Sequence, residues 1–357
     1  MRFYDALQLN PGDLKQKINS AQTPAERRRY WLAMLVRAIL IVAFSILLIA
    51  PLTTLFGSEN SSMAVALICI ILSIRFVDFG YCIRDSILNL GIVFLLLLAA
   101  PTVAALLPPV LGAVVHFCAF FLILSMTSDQ PEMGNGGLYA FSYVFLVGNP
   151  VTGVLLAKRA MLTLVAFLIC AAIFYPKHKD KHKNVRYKDV ATQFHLSTRK
   201  SQWQLQLALG VSLLLLLGDL IGLERMMWAG FACASMLGCY TSSVEDHHAV
   251  IRERFLHRMV GAVVGSGLFM VIYTLTPPQY YGLFGPIGGV FLGFCSDYRS
   301  KTALNCFGAL MLATGLYGLH GSVLLRVVNN FLGAAFGYGF SVLYHKLMSR
   351  RFDPANA

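Results

Sequence analysis

The protein has 357 residues, of which 57% are hydrophobic and only 13% are charged. Soluble proteins carry about 25% charged residues, so this composition argues against an ordinary water-soluble enzyme. The 29 Lys and Arg residues outnumber the 17 Asp and Glu residues and give a formal net charge of +12.

The N-terminal segment, residues 1–30, is polar and amphipathic, with six basic and three acidic residues. Thr23-Pro24-Ala25-Glu26 predicts a helix start, with Thr23 as the N-cap, Pro24 in the first turn and Glu26 completing a capping box. The first apolar run begins at Trp31, too late and too long for a signal-peptide core. We therefore predict that this run is the first membrane span.

Apolar stretches of about 18 to 25 residues recur from Trp31 to His345, each long enough to cross a bilayer as a helix. They predict an all-α polytopic membrane protein with about 12 transmembrane helices, the count ranging from 10 to 12. In the first half the predicted spans are 31–52, 61–76, 87–107, 108–126, 138–156 and 160–175. In the second half they are 203–221, 226–240, 258–276, 280–296, 302–319 and 322–344.

The distribution of basic residues predicts the orientation. Residues 176–200 contain eight basic and two acidic residues, and residues 345–357 contain three and one. Basic segments stay on the cytoplasmic side during insertion. We expect a multi-pass protein of the cell (cytoplasmic) membrane whose two termini and central linker are cytoplasmic, so that each half makes an even number of crossings.

The two halves resemble each other in the placement of key residues. Three pairs recur about 170 residues apart: Trp31 and Trp203, Arg84 and Arg258, and Arg159 and Arg326. Six crossings per half predict two parallel six-helix repeats related by an axis along the membrane normal. The predicted organisation is a first repeat at 31–175, a basic linker at 176–202, a second repeat at 203–345 and a tail at 346–357.

A short motif in the second half resembles a known family. Arg258-Met-Val-Gly261-Ala-Val-Val-Gly265 resembles the arginine-and-glycine signature of the fusaric acid resistance family, within the aromatic acid exporter superfamily. Met227-Trp228-Ala229 resembles the aromatic start of the preceding span, and Arg37 resembles the arginine that opens a block. Together with the repeat, the resemblance covers most of residues 25–350.

The sequence departs from the family pattern in three places. Ala262 follows Gly261, where many members have threonine, and the first half has Ile87 at the position of Gly261. The large soluble domain that many members insert between blocks is reduced here to the linker 176–202.

The resemblance implies export of organic acids, including aromatic carboxylates, or protection against toxic ones. Related plant members are malate-type anion channels. We therefore expect a membrane transporter that exports small organic anions, either aromatic or other carboxylic acids. An organic-anion channel, or a non-transporting scaffold that acts through its basic cytoplasmic segments, are the alternatives. No nucleophile–base pair, phosphate-binding glycine loop or metalloprotease motif is recognisable in the sequence, so we do not expect an enzyme.

An anion that crosses the membrane needs fixed positive charge or oriented dipoles along its path. Lys158, Arg159 and Arg326 are predicted near the outer ends of the sixth spans, where the positive-inside rule does not place them. Arg326 precedes His345 by 19 residues, or about 28 Å of helix. We predict that these residues bind substrate; snorkelling to the outer headgroups is the alternative.

Three asparagines and two further arginines complete the predicted substrate-binding set. Asn329 and Asn330 follow Arg326 by about one turn, and their amides can bind a carboxylate or bond between helices. Gly148-Asn149-Pro150 is predicted to interrupt the fifth span, unless it is a turn at the membrane boundary. Arg84 and Arg258 lie at the predicted inner mouths of the two halves, where they can guide anions or join the halves.

Two residues are predicted for proton coupling. His116 is a histidine deep within a predicted span, where it either couples protons or packs as a hydrogen-bonded ring. Asp219, near the outer end of its span, is the second candidate. We expect no cofactor and no metal, because the eight cysteines form neither a C-x-x-C pair nor a Cys/His cluster.

The predicted partners are a small organic anion and anionic lipid headgroups at the basic segments. A nucleic-acid role is not expected, because the chain has no basic, aromatic-rich domain outside the predicted spans. Glycines four residues apart predict close helix packing, either within the protein or at a homodimer surface. The pairs are Gly261/Gly265, Gly289/Gly293 and Gly333/Gly337.

Overall fold

The computed structural model describes residues 3–241 and 244–352, and describes only the backbone of 244–246 and 349–352. Within this part of the chain, the regular structure is helical. The α-helices are α1 Phe3–Gln8, α2 Pro11–Ser20, α3 Pro24–Phe56, α4 Ser61–Ile74, α5 Ile83–Ala104, α6 Pro109–Thr127, α7 Asn135–Val147, α8 Gly153–His178, α9 Tyr187–Ala191, α10 Arg199–Leu220, α11 Met226–Leu237, α12 Val244–Leu275, α13 Phe284–Leu292 and α14 Tyr298–Phe352.

Seven helices in the described residues are long and apolar enough to cross a membrane: α3, α5, α6, α8, α10, α12 and α14. Many of their large apolar side chains are exposed, among them Leu47 at 75% and Leu312 at 76%. Apolar surface of this extent needs lipid or a partner against it. The chain is therefore an all-helical, polytopic membrane protein, as the sequence predicts.

Four predicted spans are shorter than expected. The second segments of the two halves form α4 and α11, with 14 and 12 residues. The fifth segment of the first half forms α7, with 13 residues, and the fourth segment of the second half forms α13, with 9 residues. A helix of 14 residues is about 21 Å long, against a hydrocarbon core of about 30 Å. Twelve full-length crossings, and the duplication, therefore remain predictions.

The last two predicted spans belong to one kinked helix, α14. Its break lies at Gly318, which has φ 66° and ψ 173°. Glycine adopts this backbone region readily because it lacks a Cβ. The predicted separation of 302–319 from 322–344 thus corresponds to a kink at Gly318.

The predicted fifth span ends earlier than the sequence indicates. Helix α7 stops at Val147, so Gly148-Asn149-Pro150 follows the helix. Pro150 has no backbone N–H to continue the helix, and α8 begins at Gly153, which has φ 56°. The helix therefore breaks at Gly148-Asn149-Pro150 as predicted, and α7 ends nine residues before the predicted end of the span.

The N-terminal segment packs as predicted for an amphipathic element. The Thr23 side chain accepts a hydrogen bond from the Glu26 backbone N–H at 3.2 Å, and α3 begins at Pro24. Leu14 and Ile18 of α2 form a buried cluster with Ala33 and Met34 of α3. Burial of these side chains fixes α2 beside the first long helix.

The chain divides into two compact units. The first contains the chain up to Leu47 together with Glu253–Phe331, and the second contains Leu48–Arg252 and the chain from Leu332 onward. In the first unit, α12, α13 and α14 share an aromatic cluster around Phe269, Phe284 and Phe307. In the second unit, α6 packs against α5 and α10.

Candidate functional site

Two buried arginines in the first unit are connected through one asparagine. Arg258 lies on α12, whereas Arg326 and Asn330 lie one turn apart on α14. Their exposed fractions are 7% for Arg258, 5% for Arg326 and 0% for Asn330. We refer to Arg258, Arg326 and Asn330 as the arginine pair site.

The guanidinium of Arg258 donates its hydrogen bonds to neutral oxygens. Its Nη2 donates to Oδ1 of Asn330 at 3.0 Å, and its Nη1 donates to the hydroxyl of Tyr298 at 2.9 Å. Its Nε is buried without a hydrogen-bond partner. Among the described residues, no carboxylate lies within ion-pair distance of Arg258, so its charge is not neutralised by a described side chain.

Arg326 adds a second positive charge to the same site. Its guanidinium donates to Sγ of Cys306 and lies close enough to Arg258 for the two charges to repel each other. The Asn330 amide donates to the backbone carbonyl of Arg326 at 2.8 Å, which orients its Oδ1 for Arg258. Asn329 is fully buried on the adjacent position. The site thus concentrates positive charge in a region from which water is largely excluded.

The family motif explains how α12 approaches α14. A Cβ on Gly261 would lie 2.7 Å from the Arg299 carbonyl oxygen, and one on Gly265 would lie 2.3 Å from that of Ala303. Only glycine permits backbones this close. The approach brings the side chain of Arg258 within hydrogen-bond distance of Tyr298.

The other two glycine pairs also lie at contacts within the chain. Gly289 and Gly293 face Val42 and Ala38, and Gly333 and Gly337 face Ala229 and Cys233. The predicted internal helix packing is confirmed at all three pairs.

Arg159, the repeat counterpart of Arg326, lies in the second unit and is 4% exposed. Its Nε donates to Oδ1 of Asn60 at 2.8 Å, and its Nη1 donates to the Asn149 carbonyl oxygen at 2.7 Å. Its Nη2 donates to the Glu59 carbonyl oxygen at 3.0 Å and to the Ser62 hydroxyl at 3.3 Å. Arg159 therefore joins the start of α4, the end of α7 and α8, and we refer to this arrangement as the arginine clamp.

The remaining predicted substrate-binding residues lie in different environments. The side-chain amide of Asn149 donates to the Phe145 carbonyl oxygen at 2.8 Å, next to the arginine clamp. Lys158 is half-buried and Arg84 is exposed, and neither has a hydrogen bond or ion pair to another described residue. Arg84 thus differs from its repeat counterpart Arg258, which is buried.

The two residues predicted for proton coupling also differ. His116 is 5% exposed, and its Nδ1 shares a hydrogen bond of 2.8 Å with the Tyr143 hydroxyl. That contact agrees with the alternative of a hydrogen-bonded packing residue. Asp219 is exposed at the end of α10.

Sequence reasoning missed the neutral partners of the arginines. Tyr298 lies just before the predicted span 302–319, and Asn60 was assigned to an outer connection. Neither residue type signals an arginine partner by itself. A polar residue next to a span boundary can accept hydrogen bonds from an arginine buried in a neighbouring span. That pattern could have indicated both Tyr298 and Asn60.

Comparison with known proteins gives one informative match. No curated protein and no solved structure matches the chain. Residues 212–340 match a family model described as fusaric acid resistance protein-like. The matched range contains the whole arginine pair site, whereas the arginine clamp lies outside it.

The match agrees with the motif around Arg258 and with the apolar helices. The first half of the chain has no match, so the resemblance there rests on the repeat alone. Residues 212–340 are thus similar to the fusaric acid resistance protein-like family, which suggests a transport-related protein, and the chain is a multi-pass membrane protein.

Proposed function

We propose that this protein exports small organic anions, aromatic or other carboxylic acids, across the cell membrane and binds their carboxylate at the arginine pair site. The observation that carries the proposal is the charge of Arg258. It is buried, it donates only to neutral oxygens, and it has no counter-ion among the described residues.

The physical argument starts from the cost of burying charge. An unpaired ion in a low-dielectric environment is unfavourable, and a carboxylate in hydrocarbon meets the same penalty. When a carboxylate binds at Arg258 and Arg326, each charge relieves the cost of the other. Guanidinium–carboxylate hydrogen bonds are about twice as strong as neutral ones, so a carboxylate competes well with the oxygens of Tyr298 and Asn330.

The two positive charges also favour an anion over a neutral solute. The repulsion between the two arginines is relieved only by negative charge. Binding of the protonated, neutral form of an acid therefore leaves that repulsion unchanged. The planar donors of arginine fit the two carboxylate oxygens. We therefore expect the ionised acid to be the bound species.

The proposed architecture has two parallel six-helix repeats with both termini and the linker 176–202 in the cytoplasm. One pair of short helices supports it, because α4 and α11 are each second in their halves. Short or interrupted helices at corresponding positions are typical of transporters with internal repeats. Exposed lysines of the linker are then available to anionic lipid headgroups.

Flux measurements test the function directly. Purified protein in sealed vesicles should carry benzoate-type or dicarboxylic anions under a pH gradient or a membrane voltage. A current under voltage alone would identify the channel alternative, and saturable flux without current would identify a carrier. Folded protein that moves no acid of the panel under either gradient would refute organic-anion transport.

The orientation is tested separately. A single cysteine at position 185, in a cysteine-free variant, should resist a membrane-impermeant thiol reagent in intact cells and react after the cells are opened. Modification in intact cells would contradict the proposed topology and leave the flux result unaffected.

A further inference from the structure

A small cavity in the second unit lies at the start of α10, between the residues after α11, the start of α12 and the end of α14. Its volume is about 10 Å³, and the residues around it include Arg199, Trp203, His247 and His345. A cavity of this size holds one water-sized particle. We refer to it as the donor cavity.

Three side chains at the donor cavity have buried N–H groups without an acceptor among the described residues. They are Nε of Arg199, Nε1 of Trp203 and Nε2 of His345. Trp203 and His345 are each 5% exposed. Arg199 Nη1 lies 3.3 Å from Nδ1 of His345; since arginine can only donate, Nδ1 accepts and the proton of a neutral His345 lies on Nε2.

The neighbouring polar groups are already paired. His247 shares hydrogen bonds with Thr241 at 3.0 Å and with Ser341 at 2.9 Å. The Ser341 hydroxyl also accepts from the Gln206 amide at 2.7 Å. After these pairs are made, the three N–H donors at the cavity remain without an acceptor among the described residues.

The fixed charge at the cavity is the guanidinium of Arg199, and the neighbouring rings are histidines. Arg199 has no ion pair with a described carboxylate. The rings of His247 and His345 are 4.2 Å apart, and His248 lies 6.0 Å from His345. Each buried donor without an acceptor carries a desolvation cost, and an unpaired buried charge adds to that cost.

We propose that the donor cavity binds one chloride-sized inorganic anion. A halide accepts hydrogen bonds from several donors at once and neutralises Arg199, whereas water satisfies at most two donors and carries no charge. The volume is too small for an organic acid, so this anion is distinct from the proposed transport substrate. Because the donors come from α10 and α14, the bound halide stabilises the packing of these helices.

Thermal unfolding in detergent measures this binding without any transport. At constant ionic strength, sodium chloride or bromide replaces sodium gluconate, and the midpoint of unfolding is followed as a function of halide concentration. We expect a saturable rise in the wild type, because a ligand that binds only the folded state stabilises it. Arg199→Gln should weaken the halide affinity at least about tenfold, the effect of losing one charged hydrogen-bond partner.

Two further variants separate the cavity from general effects of salt and charge. Trp203→Phe keeps an aromatic ring and removes one donor, so it should weaken halide binding several-fold even if Arg199→Gln does not fold. Arg252→Gln removes an exposed cation from α12 and should leave the halide response unchanged. Equal midpoints in halide and gluconate, or an unaltered response in Trp203→Phe, would refute the halide site. Neither result bears on flux of organic acids.

Discussion

The arginine clamp and the arginine pair site contain arginines at corresponding positions of the two sequence halves. The two sites differ in the hydrogen-bond acceptors that surround the buried guanidinium groups. Arg159 is 4% exposed and Arg326 is 5% exposed, so burial does not distinguish them. Arg159 donates to four oxygen atoms from two parts of the chain, residues 59–62 and Asn149. Arg258 donates to two neutral oxygens beside a second guanidinium.

This difference shows that the number of hydrogen-bond acceptors, more than burial, distinguishes a structural arginine from one that is available to a ligand. In the clamp, backbone carbonyls at helix ends and polar side chains use the donors of Arg159, so an anion has little to gain there. In the pair site, two positive charges lie close together, and the Oδ1 of Asn330 accepts from Arg258. A ligand that supplies negative charge therefore gains more at the pair site.

The largest effect is expected from breaking the clamp. Arg159→Ala removes the hydrogen-bond donor of three oxygen atoms: the backbone carbonyl oxygens of Glu59 and Asn149 and the side-chain Oδ1 of Asn60. Each orphaned buried group costs about 1–3 kcal/mol, so the loss of unfolding free energy over the three groups should total about 3–9 kcal/mol. Thermal or denaturant unfolding in detergent measures it.

The matched control for the clamp is the neighbouring residue. Lys158→Ala removes a cation without hydrogen bonds to the described residues and should change the unfolding midpoint little. If Arg159→Ala kept wild-type stability and lost transport, Arg159 would be a binding residue, contrary to the comparison.

The next effect concerns transport through the pair site. Arg326→Ala should reduce the apparent affinity for the carboxylate about tenfold or more, since losing a charged hydrogen-bond partner costs roughly 1.5–3 kcal/mol. Arg326→Lys should recover part of the loss, because it restores the charge without the planar donors. The measurement is concentration-dependent flux in vesicles, with folding checked by gel filtration. Wild-type flux in Arg326→Ala would remove this residue from the site.

A smaller effect is expected from the neutral partner. Tyr298→Phe removes the oxygen that accepts from Arg258 Nη1 and retains the ring, over which Arg254 lies at 4.2 Å. One neutral hydrogen bond is worth about 1 kcal/mol, so flux affinity should change by roughly five-fold or less. If the bound carboxylate takes the place of the hydroxyl, affinity should rise; if the hydroxyl only orients Arg258, affinity should fall. An unchanged affinity would show that Arg258 does not contact the substrate.

The comparison also shows which features can be predicted from sequence. Apolar length predicted the long helices, and the pattern Thr23-Pro24-Ala25-Glu26 predicted the start of α3, because both depend on local sequence. The pairing of Arg258 with Asn330 could not be predicted, since the two residues are 72 positions apart and meet only through the packing of α12 on α14. The kink at Gly318 depends on a backbone conformation that glycine permits and does not require. Helix α7 ends before Pro150 although Gly148 keeps an ordinary φ of −76°.

The smallest effect should come from the surface of the first half, where exposed charges form ion pairs. The linker contacts the loop before α5 through Asp78 and Lys181 at 3.0 Å and through the backbone N–H of Cys82 and the carbonyl of Val185 at 2.8 Å. Lys181 is 47% exposed, so the pair contributes at most about 1 kcal/mol. Asp78→Asn should increase hydrogen exchange of the backbone amides near Val185 and leave flux unchanged.

The pH dependence of this linker contact follows from the pKa of Asp78. Burial raises that pKa, but hydrogen bonds from Lys181 and the Gly80 backbone and the nearby positive charges together lower it below its ordinary 3.8. A lowered pKa in the folded state means that the stabilisation is present above pH 3.8 and is lost as the pH falls through the lowered value. Nε2 of His182 also lies 3.1 Å from Oδ1 of Asp78, so the test uses a His182→Gln background. In that background, the difference in hydrogen exchange caused by Asp78→Asn should be the same at pH 5 and pH 8, once exchange rates are corrected for intrinsic pH dependence. A difference that disappears between pH 8 and pH 5 would show that a group other than Asp78 holds the linker, and that the charges of the first half are not fixed structural pairs.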